Sequence, residues 1–159
     1  MPRPKTPLTP EILFLSFLGI GFLPKAPGTW ASLAAVPLLY GVAVVNPPIP
    51  LLIPILVLAV VGAGLTAQVI QKRLGLHDPG WIVIDEVIGM FVAFLFCPHA
   101  HWGGLLILFA LFRFFDIVKV WPATYFDRSV PHGIGTILDD VVAGIYAGIV
   151  CFLGHSLLF

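Results

Sequence analysis

The chain has 159 residues, 59% hydrophobic and 10% charged, with a mean hydropathy of +1.05 and a formal net charge of zero. Soluble domains carry about 25% charged residues, and a water-exposed fold this poor in charge would present very large apolar patches. The composition excludes an ordinary soluble domain and predicts one all-α membrane domain; the balanced charge excludes the basic field that nucleic acid needs.

Residues 1–10 are Pro-rich and polar and read as a flexible arm ahead of one membrane-embedded domain, 11–159. Arg3 and Lys5 precede the apolar stretch Ile12 to Leu23, as in a signal peptide, but no Ala-x-Ala cleavage pattern follows. That stretch is too short for a hydrocarbon core that needs ~20 residues, and Gly19 and Gly21 weaken it as a helix. It predicts a re-entrant or interfacial half-helix. Pro24 and Pro27 then force irregular backbone. Gly28 or Thr29 can cap the next helix, Ala31 to Val45, in which Pro37 places a kink.

An uncharged turn at 46–50 leads to Leu51 to Ile70, the clearest span, closed by Lys72 and Arg73. After a loop at 74–84, Val87 to Phe96 is short and apolar, 97–104 is a turn without Lys or Arg, and Leu105 to Val118 is apolar again. A polar, turn-rich stretch at 119–136 precedes the last span, Ile137 to Phe159. Cys97 and Cys151 lie apart in apolar runs and make no metal or redox motif. The predicted fold is thus a polytopic transmembrane helical bundle. Threaded back and forth by the positive-inside rule, five spans bring every charged motif to the cytoplasmic face.

Four polar motifs meet on that face. Gly21 to Thr29 offers Lys25, a hydroxyl and a helix N-terminus, which suit a phosphate; the plain alternative is a turn with Lys25 snorkelling to headgroups. Asp85 and Glu86 are adjacent acids at the start of an apolar run, with Gly89 one turn beyond Asp85 and able to leave ligand room. Paired carboxylates suit Mg²⁺, although one acid would equally suit a helix start. His77 and Asp78 read as supporting or simple loop residues.

Arg113, Asp116 and Lys119 share one helical face, either as an ion-pair ladder or as one metal ligand with two phosphate-binding cations. Finally, Asp139 and Asp140 open the last span, where one alone would serve as a cap, and Gly144 and Gly148 form a small-residue packing face. Five carboxylates and several cations on one face fit Mg²⁺-assisted phosphoryl chemistry on a lipid headgroup.

These motifs carry a resemblance. The stretches 21–32 (GFLPKAPGTWAS), 77–89 (HDPGWIVIDEVIG), 112–128 (FRFFDIVKVWPATYFDR) and 133–144 (GIGTILDDVVAG) resemble the bacterial phosphatidylglycerophosphatase A family, over about residues 15–150. Val120 departs from a Lys-Pro-Trp-Pro run without loss of a functional group. The resemblance implies a Mg²⁺-dependent lipid phosphatase of the bacterial inner membrane; the positive-inside reading turns its active site toward the cytoplasm. It would convert phosphatidylglycerophosphate to phosphatidylglycerol and phosphate.

Carried over by position, Asp85, Glu86, Asp116, Asp139 and Asp140 are the metal-binding and catalytic candidates. Lys25, Thr29, Arg113, Lys119 and Arg128 are the phosphate-binding candidates. The expected partners are the lipid substrate and the bilayer, with no nucleic acid; self-association stays open. A competing class is a small ion or anion transporter, since broken helices with intramembrane acids also mark transporters. The Asp-Gly-x-x-Ala-Arg type of motif of lipid phosphotransferases is missing.

Overall fold

A computed structural model describes residues 8–76, 79–97, 101–129 and 133–158, without the side chains of 127–129 and 155–158. Helix α1 (Pro10–Leu15) is six residues long and is capped by Thr9, whose Oγ1 accepts from the Ile12 N–H at 3.4 Å. Phe17, Leu18 and Gly19 then take positive φ, and a single 3₁₀ turn follows at Ile20–Phe22. Three left-handed residues in a row cannot continue a right-handed helix. The half-helix expected over Ile12 to Leu23 is therefore a short helix, a reversal and a turn. Backbone contact fastens this piece to the loop before the acid pair: Val83 N–H donates to Leu15 O at 2.9 Å. Gly21 packs so closely on the Trp81 carbonyl that a side chain there would overlap it.

Helix α2 (Pro27–Val45) starts earlier than expected, directly after left-handed Ala26, and continues through Pro37. Gly28, Ala31, Ser32, Ala35, Val36 and Leu39 are buried on one stripe, the i, i+3, i+4, i+7 pattern of a core-facing helix. Helix α3 (Ile49–Leu74) has 26 residues, about 39 Å of helix. It buries only the narrow stripe Ala63, Gly64, Ala67, Ile70 and Gln71 and exposes Leu51, Ile53, Val57, Leu58, Val61, Leu65 and Val69. Such a surface is costly in water and ordinary against lipid tails.

Helix α4 (Ile84–Phe94) is the opposite: nearly every residue is buried, and it packs chiefly against α2 and α7. Helix α5 (Trp102–Val118) is capped by His101, whose Nδ1 accepts from Gly104 N–H at 2.9 Å. Helix α6 (Ala123–Ser129) forms within the stretch expected to be turns, and α7 (Gly133–Leu158) runs 26 residues. The described residues are all-helical, with no strand among them.

Three helices are long and apolar enough to cross a membrane: Pro27–Val45, Ile49–Leu74 and Gly133–Gly154. Of the other two expected spans, α4 has 11 residues and α5 has 17. Cys97 and Cys151 are free thiols.

Glycine contacts set the crossing of α4 and α7. A side chain on Gly144 would overlap the Gly89 carbonyl, and one on Gly148 would meet the Ala93 carbonyl and the Phe96 ring. This is the small-residue packing face read from the sequence, which lets two backbones approach closely. Gly89 itself differs from expectation. A Cβ there would meet the Phe112 ring and lie 2.8 Å from Asp140 O. The bare face of Gly89 accommodates neighbouring helices rather than a ligand.

Candidate active site

The site forms where four chain segments end together. They are the N-terminus of α2, the N-terminus of α4, the C-terminal turn of α5 and the second turn of α7. A pocket of about 310 Å³ opens there, lined by Ala26 to Thr29, Gly80, Ile82, Asp85, Glu86, Arg113, Asp116, Lys119, Thr136, Asp139 and Asp140. All five acids expected from the sequence are in its wall, with Thr29, Arg113 and Lys119. Lys25 is exposed and is not part of the wall. The Arg128 side chain, and His77 and Asp78, fall outside the described residues. Sequence reasoning assigned no role to Thr136, although its hydroxyl lies one helical turn before Asp140, in the quoted Gly-Ile-Gly-Thr run.

The carboxylates divide by partner. Arg113 Nη1 lies 2.6 Å from Asp116 Oδ2, and Lys119 Nζ lies 2.8 Å from Asp139 Oδ2. The second pair joins the end of α5 to α7, because Lys119 leaves the helix in a left-handed conformation. Asp85, Glu86 and Asp140 instead gather by themselves, with one oxygen from each lying within 4.8 Å of the others. Asp85 and Asp140 are each only 4% exposed. Among the described residues no cation forms an ion pair with any of the three. Asp85 Oδ1 accepts a long bond, 3.2 Å, from Glu86 N–H, while Glu86 Oε2 is buried without a hydrogen-bond partner.

Buried anions are normally paired or bound to a metal. Three clustered carboxylates with an orphaned oxygen therefore fit a hard divalent cation, which takes oxygen ligands. The opposite requirement stands beside it: Arg113 Nε is buried without an acceptor. The first N–H groups of α2, at Gly28 and Thr29, also face no preceding helical turn. One pocket thus offers oxygen donors for a cation and N–H donors for an anion.

Gly28 makes this juxtaposition sterically feasible. A Cβ on Gly28 would coincide with the Glu86 carboxylate. With glycine at this position the N-terminus of α2 comes up against Glu86 without displacing its carboxylate, the movable end of that side chain. Sequence spacing contains no signal for that contact, since 58 positions separate the two residues.

An acid cluster beside N–H donors, inset in a bundle with membrane-length apolar helices, has the make-up of a membrane-bound hydrolase of phosphate esters. Comparison with known proteins narrows the class. The family model for phosphatidylglycerophosphatase A matches residues 13–155, and the chain belongs to that family of lipid phosphatases.

A phosphatidylglycerophosphatase A of Haemophilus influenzae is 39% identical over 146 residues, 91% of this chain and 88% of that one. One of Escherichia coli is 40% identical over 138 residues, 86% of this chain and 79% of that one. A Bacteroides thetaiotaomicron protein named as a candidate phosphatidylinositol-3-phosphatase is 33% identical over 147 residues, 90% of this chain and 92% of that one. No solved structure matches the chain.

Proposed function

We propose that this chain hydrolyses the terminal phosphomonoester of phosphatidylglycerophosphate, releasing phosphatidylglycerol and inorganic phosphate, with Mg²⁺ as cofactor. The observation that carries the reading is the cluster of Asp85, Glu86 and Asp140 with the buried, unpartnered Glu86 Oε2. Of the named relatives, the two with the higher identity are phosphatidylglycerophosphatases, which favours a glycerophosphate headgroup over an inositol one.

Asp85, Glu86 and Asp140 would hold the ion, with Asp116 and Asp139 close by in the same wall. When bound, Mg²⁺ supplies Lewis acidity and charge neutralisation toward phosphoryl oxygens. The chain's own residues do the rest. Arg113, Lys119, Thr29 and the opening N–H groups of α2 bind and orient the phosphate oxygens. Their charge is aimed where negative charge spreads during transfer, which is the main protein contribution to phosphoryl chemistry. A pocket carboxylate takes the proton of the attacking water. The oxygen of that water bonds to phosphorus in line as the phosphorus–ester oxygen bond breaks, and the proton held by the carboxyl group passes to the leaving oxygen to give the lipid alcohol.

The same reading takes the protein as a multi-pass chain of the bacterial inner membrane, with the pocket toward the cytoplasm. Lys72 and Arg73 at the end of α3, and Arg113 and Lys119 in α5 and just after it, support this sidedness, since turns 46–50 and 97–104 carry no Lys or Arg. The transporter alternative has less support, because transporter sites lie near the bilayer midplane between gates, whereas these acids sit at helix ends on one side of the bundle.

The deciding assay is phosphate release from phosphatidylglycerophosphate in detergent micelles, with Mg²⁺ and with chelator. Mg²⁺-dependent release is expected. Absence of release, together with ion flux in liposomes, would replace the reading with the transporter.

A further inference from the structure

A second cavity, about 240 Å³, lies between α3 and α4, and every residue lining it is apolar. One wall includes Ile55 and Ala59 of α3. The other runs along one face of α4, through Ile84, Val87, Ile88 and Leu95, at spacings i, i+3, i+4 and i+11. This face is the neighbour of the acidic one. Ile84 directly precedes Asp85 and Val87 directly follows Glu86, and successive residues turn by about 100° around a helix. The acids enter the polar pocket while the residues beside them line the apolar groove.

The length of the groove is informative. Ile84 to Leu95 covers about 16 Å of helix, close to half of the ~30 Å hydrocarbon core. The α3 wall, Leu52 to Ala59, covers about 10 Å of helix, so the two-walled part of the groove begins beside the acid pair and has the length of part of a lipid tail.

We propose that this α3–α4 groove seats one acyl chain of the lipid substrate and thereby sets the headgroup in register with the acidic pocket. The proposal rests on the lipid-phosphatase reading above and adds to it a place for the tail. Moving a tail from surrounding lipid into the groove gains little hydrophobic energy, since both surroundings are apolar. The benefit is alignment: a lipid held by its chain presents its phosphate at one depth and in one orientation, and small misplacements at a reacting centre are costly in rate.

The test compares two substrates: the diacyl phosphatidylglycerophosphate in micelles, and the same headgroup phosphate stripped of its acyl chains, in solution. Ala59→Phe narrows the groove from the α3 side. Ile55→Phe does so at the rim, where a 56% exposed side chain leaves space for a larger one. Expected is a fall of about tenfold or more in kcat/KM for the diacyl substrate, with kcat/KM for the deacylated substrate unchanged.

An equal fall for both substrates in both variants would overturn the proposal. So would an unchanged diacyl rate, which is the result if the groove merely holds bulk bilayer lipid. If the unaltered protein released phosphate from neither substrate, the phosphatase reading would fail first, and the groove assignment with it.

Discussion

The bare α-carbon of Gly28 faces the carboxylate of Glu86, at a separation that leaves no room for a methyl group. The start of α2 and the start of α4 are thereby brought together, one carrying N–H donors and the other acids. Gly28→Ala is expected to displace Glu86 while α2 still forms, because alanine is the better helix residue. Turnover should fall about 10²-fold, the scale of a ~1 Å misplacement near the reaction. Steady-state kinetics alongside circular dichroism in detergent check this; near-normal turnover with unchanged helicity would mean that Glu86 tolerates displacement.

Neutralising an acid separates chemistry from folding. Asp85→Asn and Glu86→Gln preserve side-chain volume and remove one of three clustered carboxyl groups. Phosphate release should drop by orders of magnitude. In metal-free buffer the variants should unfold at or above the temperature of the unaltered protein, because a neutral amide replaces a buried acid that is costly to ionise. A variant that kept its activity would remove that residue from the reaction.

Metal addition provides a readout independent of turnover. A ligand that binds only the folded state raises its stability by about 2.7 kcal/mol at a hundredfold excess over Kd. Mg²⁺ should therefore raise the thermal midpoint of the purified protein, and chelator should reverse the rise. Asp140→Asn should abolish the effect, since Asp140 contributes one of the three clustered oxygens. An unchanged midpoint with Mg²⁺ would count against divalent binding.

The α4–α7 crossing should tolerate little. Gly89→Ala pushes a methyl group against Phe112 and the Asp140 backbone. Overpacking of this kind costs about 1–3 kcal/mol. Here it also separates Asp85 from Asp140, which the two helices carry. Thermal denaturation should show the loss, and the Mg²⁺-induced shift should shrink in the same variant.

Sidedness can be read by labelling. In a Cys97→Ala, Cys151→Ala background, a cysteine at Asn46 should react with an impermeant maleimide added outside intact cells. A cysteine at Lys25 should react only after the membrane is opened. The reverse pattern would turn the pocket toward the periplasm.

Much of the site was legible because its residues are chemically expensive. Acids at the edges of apolar runs have few roles, so Asp85, Glu86, Asp116, Asp139 and Asp140 stood out before any fold was known, and all five line one pocket. Gly144 and Gly148 were legible by their spacing on one helix. Contacts between distant segments were not. Gly28 against Glu86 and Gly89 against Phe112 depend on how helices cross, and local patterns contain no record of that. The reversal at Phe17 and Leu18 was equally hidden, because neither residue type favours positive φ. It sits directly after the point where Val83 N–H fastens to Leu15 O, a contact between distant segments.

Asp139 and Asp140 sit on α7, which follows the other three contributing segments in the order of synthesis. Until α7 joins its neighbours, the emerging polypeptide lacks one of the three clustered oxygens and the Asp139 carboxylate that meets Lys119. A bundle still missing α7 would accordingly be silent toward phospholipid, and competence would arrive in a single step as that helix packs into place.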